Sequence, residues 1–195
     1  MVIVVPLILE GIVTTENEDG SVNVSPMGPV VDLSMRTLLL RPYNTSNTYK
    51  NLKRIARGVF LVTDDVEMLA GAAVGELNPV PAFDKHEATG GWILRDACRW
   101  YAFEVQTLDD ESERTTIQCD VTDGGRLRDF FGFNRAKHAV LEAAILATRT
   151  KFLPADDILS DMQRLALIVE NTAGDQELRA FQFLQKYVAR ELGGE

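Results

Sequence analysis

The sequence is short of the residues that build metal centres and disulfide frameworks. It has two cysteines and two histidines in 195 residues. Cys98 and Cys119 stand far apart and form no CxxC pair, which excludes a disulfide framework and gives no sign of an oxidising compartment. His86 and His138 are as widely separated, so no zinc site of the usual spacing is encoded and no metal is expected. The glycine-rich signatures of Rossmann and P-loop nucleotide sites, GxGxxG and GxxxxGK[ST], are missing. So are the GxSxG nucleophile elbow and HExxH. Positive charge is scarce: 20 Lys and Arg face 29 Asp and Glu, a net charge of −9. An acidic chain does not attract nucleic acid or anionic lipid through its overall field. A local basic pocket stays open. The one long apolar stretch, MVIVVPLILE at the start, is interrupted by Pro6 and closed by Glu10. It is too short to span a bilayer and lacks a basic leader region, so the reading is a cytoplasmic protein without a membrane partner.

What is present is core material. Hydrophobic residues make up 46% of the chain and charged residues 25%, enough to exclude wholesale disorder. The first half reads mainly as strands. Leu9–Thr15 is rich in β-branched residues and runs into the acidic turn ENEDG. In the next segment Val22 and Val24 alternate with Asn23 and Ser25, and Pro26 and Gly28 are expected to end regular pairing. Met35–Arg41 reads as a short strand stopped by Pro42. Ser46–Ala56 reads as a helix capped by Ser46 and stopped near Gly58. Gly58–Thr63 is a strand, after which Asp64 or Asp65 caps a helix of small residues. Glu76–Trp92, with two prolines and two glycines, reads as a long loop. Ala97–Leu108 is apolar on both faces and reads as a central strand, and Arg114–Val121 alternates as a half-buried one. Three helices follow, with stripes His138, Leu141, Ile145, then Ile158, Met162, Leu165, Val169, then Leu178, Phe181, Leu184, Val188. Strands followed by helices give an α+β layout, and short, closely spaced strands favour a small barrel.

Two segments carry candidate chemistry. In LLLRPYNTSNTYKNLK a strand ends in Arg41 and a helix opens at Ser46. Free N–H groups and the positive end of the helix dipole suit a phosphate there. Arg41 would add a charge-assisted contact, and Ser46, Thr48 and Asn51 would fill the remaining oxygen positions. Lys50 and Lys53 add positive charge. The same residues also make an ordinary capped surface helix, and the two readings stand side by side. In NVSPMGP, the residues Asn23, Ser25, Pro26, Met27 and Gly28 offer a broken ladder with main-chain groups for the edge of a planar heteroaromatic ring. A bulged strand end is the alternative. A third candidate is FNRAKH, where Asn134 caps a helix and Arg135 adds charge to a helix start that ordinarily prefers acids. It reads either as a second anion contact or as a local ion pair.

The segments EGIVTT, NVSPMGP, LRPYNTSNTYKNLK, VFLVTDDVEML and FNRAKHAVLEAAILATR resemble the FMN-binding split-barrel superfamily of flavin reductases and pyridoxamine-phosphate oxidases. Within it they are similar to a branch catalogued as a domain of unknown function. The likeness covers nearly the whole chain, and Ser-x-Thr-x-x-Asn after a strand-end Arg is its most specific part. It implies a split β-barrel over residues 1–132 followed by a C-terminal three-helix segment over 133–195. It also implies FMN at the interface of a homodimer. Phosphate roles fall to Arg41, Ser46, Thr48 and Asn51, and a ring-edge role falls to Asn23–Gly28. The activity implied is a flavin-dependent oxidoreductase with NADH or NADPH as donor and no catalytic side chain assigned. The alternatives are a non-catalytic FMN-binding or assembly protein, or a binder of another phosphorylated heteroaromatic ligand.

Overall fold

The computed structural model describes residues 6–193; the start of the apolar opening, residues 1–5, lies outside them. The chain forms two compact units, Met1–Thr63 with Pro81–Asp129, and Asp64–Val80 with Phe130–Glu195.

The first unit is built on β1 (Leu7–Ile8), β2 (Gly11–Glu16), β3 (Val22–Met27), β4 (Val30–Val31), β5 (Thr37–Leu40), helix α1 (Asn47–Ile55), β6 (Arg57–Val62), β7 (Phe83–Lys85), β8 (Trp92–Leu94), β9 (Arg99–Asp109) and β10 (Thr116–Arg126). Eight strands form one antiparallel sheet in the order β1-β4-β5-β10-β9-β6-β2-β3. This order requires curvature. In a flat sheet β3 and β4 would lie about 29 Å apart, six strand spacings. Only Gly28 and Pro29 join them, a reach of roughly 10 Å. The sheet therefore curls into an open, split barrel. Its interior holds Val13, Leu38, Leu40, Phe60, Phe103 and Ile117, onto which α1 turns Tyr49 and Leu52. Gly11 permits the tight β2–β6 contact, since a Cβ there would run into the Leu61 carbonyl and the Phe60 ring.

Several local expectations change. Regular pairing does not end at Pro26: the β2–β3 ladder continues through Pro26 opposite Ile12 and Met27 opposite Gly11. Proline is tolerated because β3 pairs only with β2 among the described residues, and an edge strand can spare an N–H. Helix α1 stops before Gly58, with Ala56 taking the left-handed conformation at φ 52° and returning its N–H to Leu52. The stretch Glu76–Trp92 is not an open loop. Its β7–β8 hairpin is tied to β2: Thr14 donates to the Trp92 carbonyl, and Trp92 Nε1 and Lys85 Nζ both reach Glu16, at 2.9 and 3.0 Å. The hydrogen bonds from Lys85 and Trp92 hold the Glu16 carboxyl below its ordinary pKa. His86, at the tip, lies 4.7 Å from the Trp100 ring and 3.4 Å from Asp123. Asp84 instead pairs with Arg95.

The second unit packs α2 (Val66–Val74) with α3 (Arg135–Ala147), α4 (Ala155–Thr172) and α5 (Asp175–Glu191). The unit is discontinuous in sequence, because α2 lies between β6 and β7. Asp65, rather than Asp64, caps α2 through Met68 N–H. The buried face of α3 is Ala136, Ala139, Val140, Ala143, Ala144 and Ala147, not the expected His138 stripe. Alanines admit close helix approach, and His138 is displaced to the surface, stacked on Phe133. On α5, Leu178 is 37% exposed, whereas Glu177 is buried. Lys137 accounts for this, with its Nζ 2.8 Å from Glu177 Oε1. Among the described residues no helix is long and apolar enough to cross a membrane.

Candidate functional site

Helix α1 starts where the sequence pattern places it. Ser46 is extended, at φ −73° and ψ 153°, and its Oγ accepts the Tyr49 N–H at 3.2 Å. That leaves the N–H groups of the first turn ahead of Tyr49 without intrahelical acceptors. The first turn carries no acid, so nothing on the helix offsets the positive end of its dipole.

The strand and helix candidates meet through a buried polar cluster. Asn23 Nδ2, on β3, donates to Thr48 Oγ1 on α1 at 3.0 Å and to Thr15 Oγ1 on β2 at 3.1 Å. Asn51 Nδ2, on α1, donates to the same Thr15 oxygen at 3.0 Å and to Asn17 Oδ1 at 2.8 Å. Thr48 and Asn51 are buried, at 2% and 4% exposure. The amide hydrogens of both asparagines are thereby used in joining α1 to the β2–β3 edge. Beyond Asn23, the half-buried residues Ser25, Pro26 and Met27 continue along edge strand β3 to Gly28.

Basic residues flank and contact the segment that leads into this helix. Arg41 follows β5 and is exposed. The chain after it is held by Thr115, whose N–H and hydroxyl both donate to the Pro42 carbonyl, at 3.0 and 2.8 Å. Tyr43 forms a bridge with Arg114. The Arg114 guanidinium lies 4.5 Å from the Tyr43 ring centroid and donates to the Arg41 carbonyl at 3.3 Å. Lys53 is committed elsewhere: it pairs with Asp110 at 2.7 Å and also donates to the Tyr49 hydroxyl. These contacts raise its pKa and lower that of Asp110. Lys50 is exposed.

Thr15, Asn17 and Arg114 contact the candidate residues, and the sequence pattern does not single them out. Thr15 and Asn17 share one face of a two-residue repeat, which was a usable signal. Arg114 offered none, since only the β5–β10 pairing brings it beside Arg41.

Asn134 and Arg135 belong to the second unit. Asn134 accepts the Lys137 N–H and donates to the Thr172 carbonyl, both at 3.0 Å, and so caps α3 and ties it to α4. Arg135 is exposed. Within the first unit, a separate concavity of about 380 Å³ is lined by Met35, Arg99, Tyr101, Thr122, Asp123 and Arg126 among others. It lies at the Arg99–Arg126 end of the β9–β10 pair, away from the Asp109–Thr116 end, whose connecting turn carries Arg114.

The fold is shared with solved structures. An FMN-bound protein from Methanosarcina mazei, placed in the DUF447 family, superposes with a TM-score of 0.81 at 22% identity over 94% of this chain and 96% of its own. The styrene monooxygenase flavin reductase of Pseudomonas putida S12 gives 0.50 at 18% identity over 60% of this chain and 78% of its own. An FMN-binding protein from Thermus thermophilus with bound p-hydroxybenzaldehyde gives 0.51 at 13% identity, over 63% and 73%. No curated protein matches the sequence. Family models described as "Protein of unknown function (DUF447)" match residues 9–128 with their N-terminal domain and 134–186 with their C-terminal part. On these matches, which span most of its length, the chain belongs to the DUF447 family.

Proposed function

We propose that this protein binds FMN, with the phosphate at the α1 start and the ring along the β3 edge, and that it works as a flavin-dependent oxidoreductase. The observation that carries the reading is the Asn23–Thr48 hydrogen bond. It brings the anion-binding end of a helix and the unpaired edge of a strand together, as a ligand with an anionic tail and a planar hydrogen-bonding head requires. The donor set fits such a ligand: free first-turn N–H groups and the Ser46 hydroxyl for the tail, with Arg41 and Arg114 for its charge. The likeness to a protein described as FMN-bound supports the choice of ligand.

In this mechanism FMN, when bound, supplies hydride acceptance and donation. The chain's residues bind and orient. The α1 start and the arginines fix the anionic end. The main-chain groups of the β3 edge hold the ring, and Met27 gives it an apolar surface. No side chain is assigned a proton-transfer role. NADH or NADPH is the proposed donor, and a homodimer is the proposed assembly.

A second reading is a flavin-binding or assembly protein without turnover. It is favoured by the commitment of the Asn23 and Asn51 amides to structural bonds. Visible absorbance of the purified protein, before and after soaking in FMN, tests binding. The expected result is a flavin spectrum, and its absence in both samples overturns the reading. Bleaching of that spectrum by NADH or NADPH at turnover rates separates an oxidoreductase from a binder. Light scattering at micromolar concentration tests the dimer.

A further inference from the structure

We propose that Thr15 is the positioning residue of this site and sets its preference for a phosphorylated flavin over an unphosphorylated one. The proposal rests on the FMN reading above.

Thr15 is 2% exposed and stands opposite Asn23 in the β2–β3 ladder. Its hydroxyl oxygen accepts from Asn23 at 3.1 Å and from Asn51 at 3.0 Å. One oxygen thus anchors both asparagines, one from the strand edge and one from the helix. A hydroxyl oxygen has two acceptor positions, and both are used. Without that oxygen, one buried amide hydrogen, on Asn51, and one half-buried one, on Asn23, lose their partner, and Asn51 keeps only Asn17 as an anchor.

The two halves of the site depend on this oxygen unequally. Strand β3 is held by a main-chain ladder of six residue pairs that no side-chain change removes. The seating of α1 on β2 and β3 relies on side chains: the Thr15 bonds, the Asn23–Thr48 and Asn51–Asn17 bonds, the donation of Arg54 to the Glu16 carbonyl near the far end of the helix, and the packing of Tyr49 and Leu52. Loss of the Thr15 oxygen therefore shifts the helix start, where the phosphate is held, and leaves the ring edge in place. Thr15 touches no ligand in this scheme and acts through Asn51 and Asn23.

The test compares Thr15→Val, which keeps the shape and removes the oxygen, with Thr15→Ser, which restores the oxygen. FMN and riboflavin are titrated by quenching of flavin fluorescence. Amide hydrogen exchange is followed in the ligand-free protein. Thr15→Val is expected to weaken FMN about tenfold, the scale of one buried polar group left unpaired. Riboflavin affinity should stay within about twofold, first-turn amides of α1 should exchange faster, and the β2–β3 ladder should not change. Thr15→Ser should recover FMN affinity. Equal weakening of both flavins, unchanged FMN affinity, unchanged exchange at α1, or failure of serine to rescue overturns the assignment. If Thr15→Val does not fold, Asn17→Ala removes the other anchor of Asn51 and should shift the FMN-to-riboflavin ratio in the same direction. Wild-type protein that binds no FMN defeats the FMN reading and with it the phosphate preference. Positioning of α1 by Thr15 is then decided by exchange alone, faster in support and unchanged against.

Discussion

The Arg114 guanidinium is stacked over the Tyr43 ring, 4.5 Å from its centroid, and is tethered to the main chain of Arg41. The stack holds a long, flexible side chain at a fixed place beside the strand-end arginine. In an acidic chain, one arginine therefore stands on, and a second is held against, the segment that leads from β5 into α1. A planar guanidinium on an aromatic face loses less freedom on meeting an anion than a free one.

Both arginines should contribute to FMN affinity. Arg41→Ala is expected to weaken binding by about 1.5 kcal/mol, the low end for a hydrogen bond to a charged group, because the side chain is exposed. Tyr43→Ala should act in the same direction as Arg114→Ala, and the double variant should cost less than the sum of the two. Titration of each variant with FMN at two salt concentrations checks this, with the losses shrinking at high salt.

Ser46→Ala removes the α1 cap. It should cost about 1 kcal/mol of stability, read as a lower urea midpoint, and Ser46→Asp should recover that stability. The same aspartate should lower FMN affinity if the phosphate sits at the α1 start as proposed, because it adds negative charge there.

The pH dependence of the second unit should centre on Glu177. Burial raises the pKa of this carboxyl, but the hydrogen bonds from Lys137 and the Gly174 N–H outweigh burial and hold it below its ordinary value of 4.5. A carboxylate depressed by folding stabilises above its unfolded pKa, and that contribution is lost as pH falls through the folded value. Glu177→Gln is expected to cost about 2–3 kcal/mol near neutrality. The gap to wild type should narrow in acid, where wild type also carries a neutral side chain. Urea unfolding at several pH values between neutrality and acid reads the difference.

Neither cysteine should react in the folded protein. Cys98 and Cys119 are each 1% exposed, and burial pushes the Cys119 thiol up to about 12. The thiol, not the thiolate, is therefore the form present near neutral pH. Alkylation followed by mass spectrometry should show no modification in buffer and two modified sites in denaturant.

The sequence was most informative where structure is decided locally. Ser46 could be read as a cap because a hydroxyl three residues before an N–H suffices to make one. The Asn23/Ser25 alternation was visible because a strand has a two-residue period. Pro26 is expected to end pairing and does not, because its effect depends on whether the strand has a neighbour on its other side, which is a property of the whole sheet. The β7–β8 hairpin was hidden because Lys85 and Trp92 find Glu16 only after β2 is in place. On α5 the stripe read from Leu178 gives way to Glu177, because burial there depends on Lys137 arriving from α3. Thr15 carries only the weak signal of its two-residue spacing from Asn17, as both of its partners arrive from elsewhere in the chain.

The placement of α2 has a consequence for how the protein is made. During synthesis α2 leaves the ribosome directly after β6, ahead of β7–β10 and of every helix it packs with. Its buried residues Val66, Leu69 and Ala70 belong to a helix whose packing partners α3 and α5 have yet to be translated. The nascent chain can close its barrel strand by strand while this short apolar helix waits. The period between translation of α2 and of α5 is when a chaperone would find the most to hold.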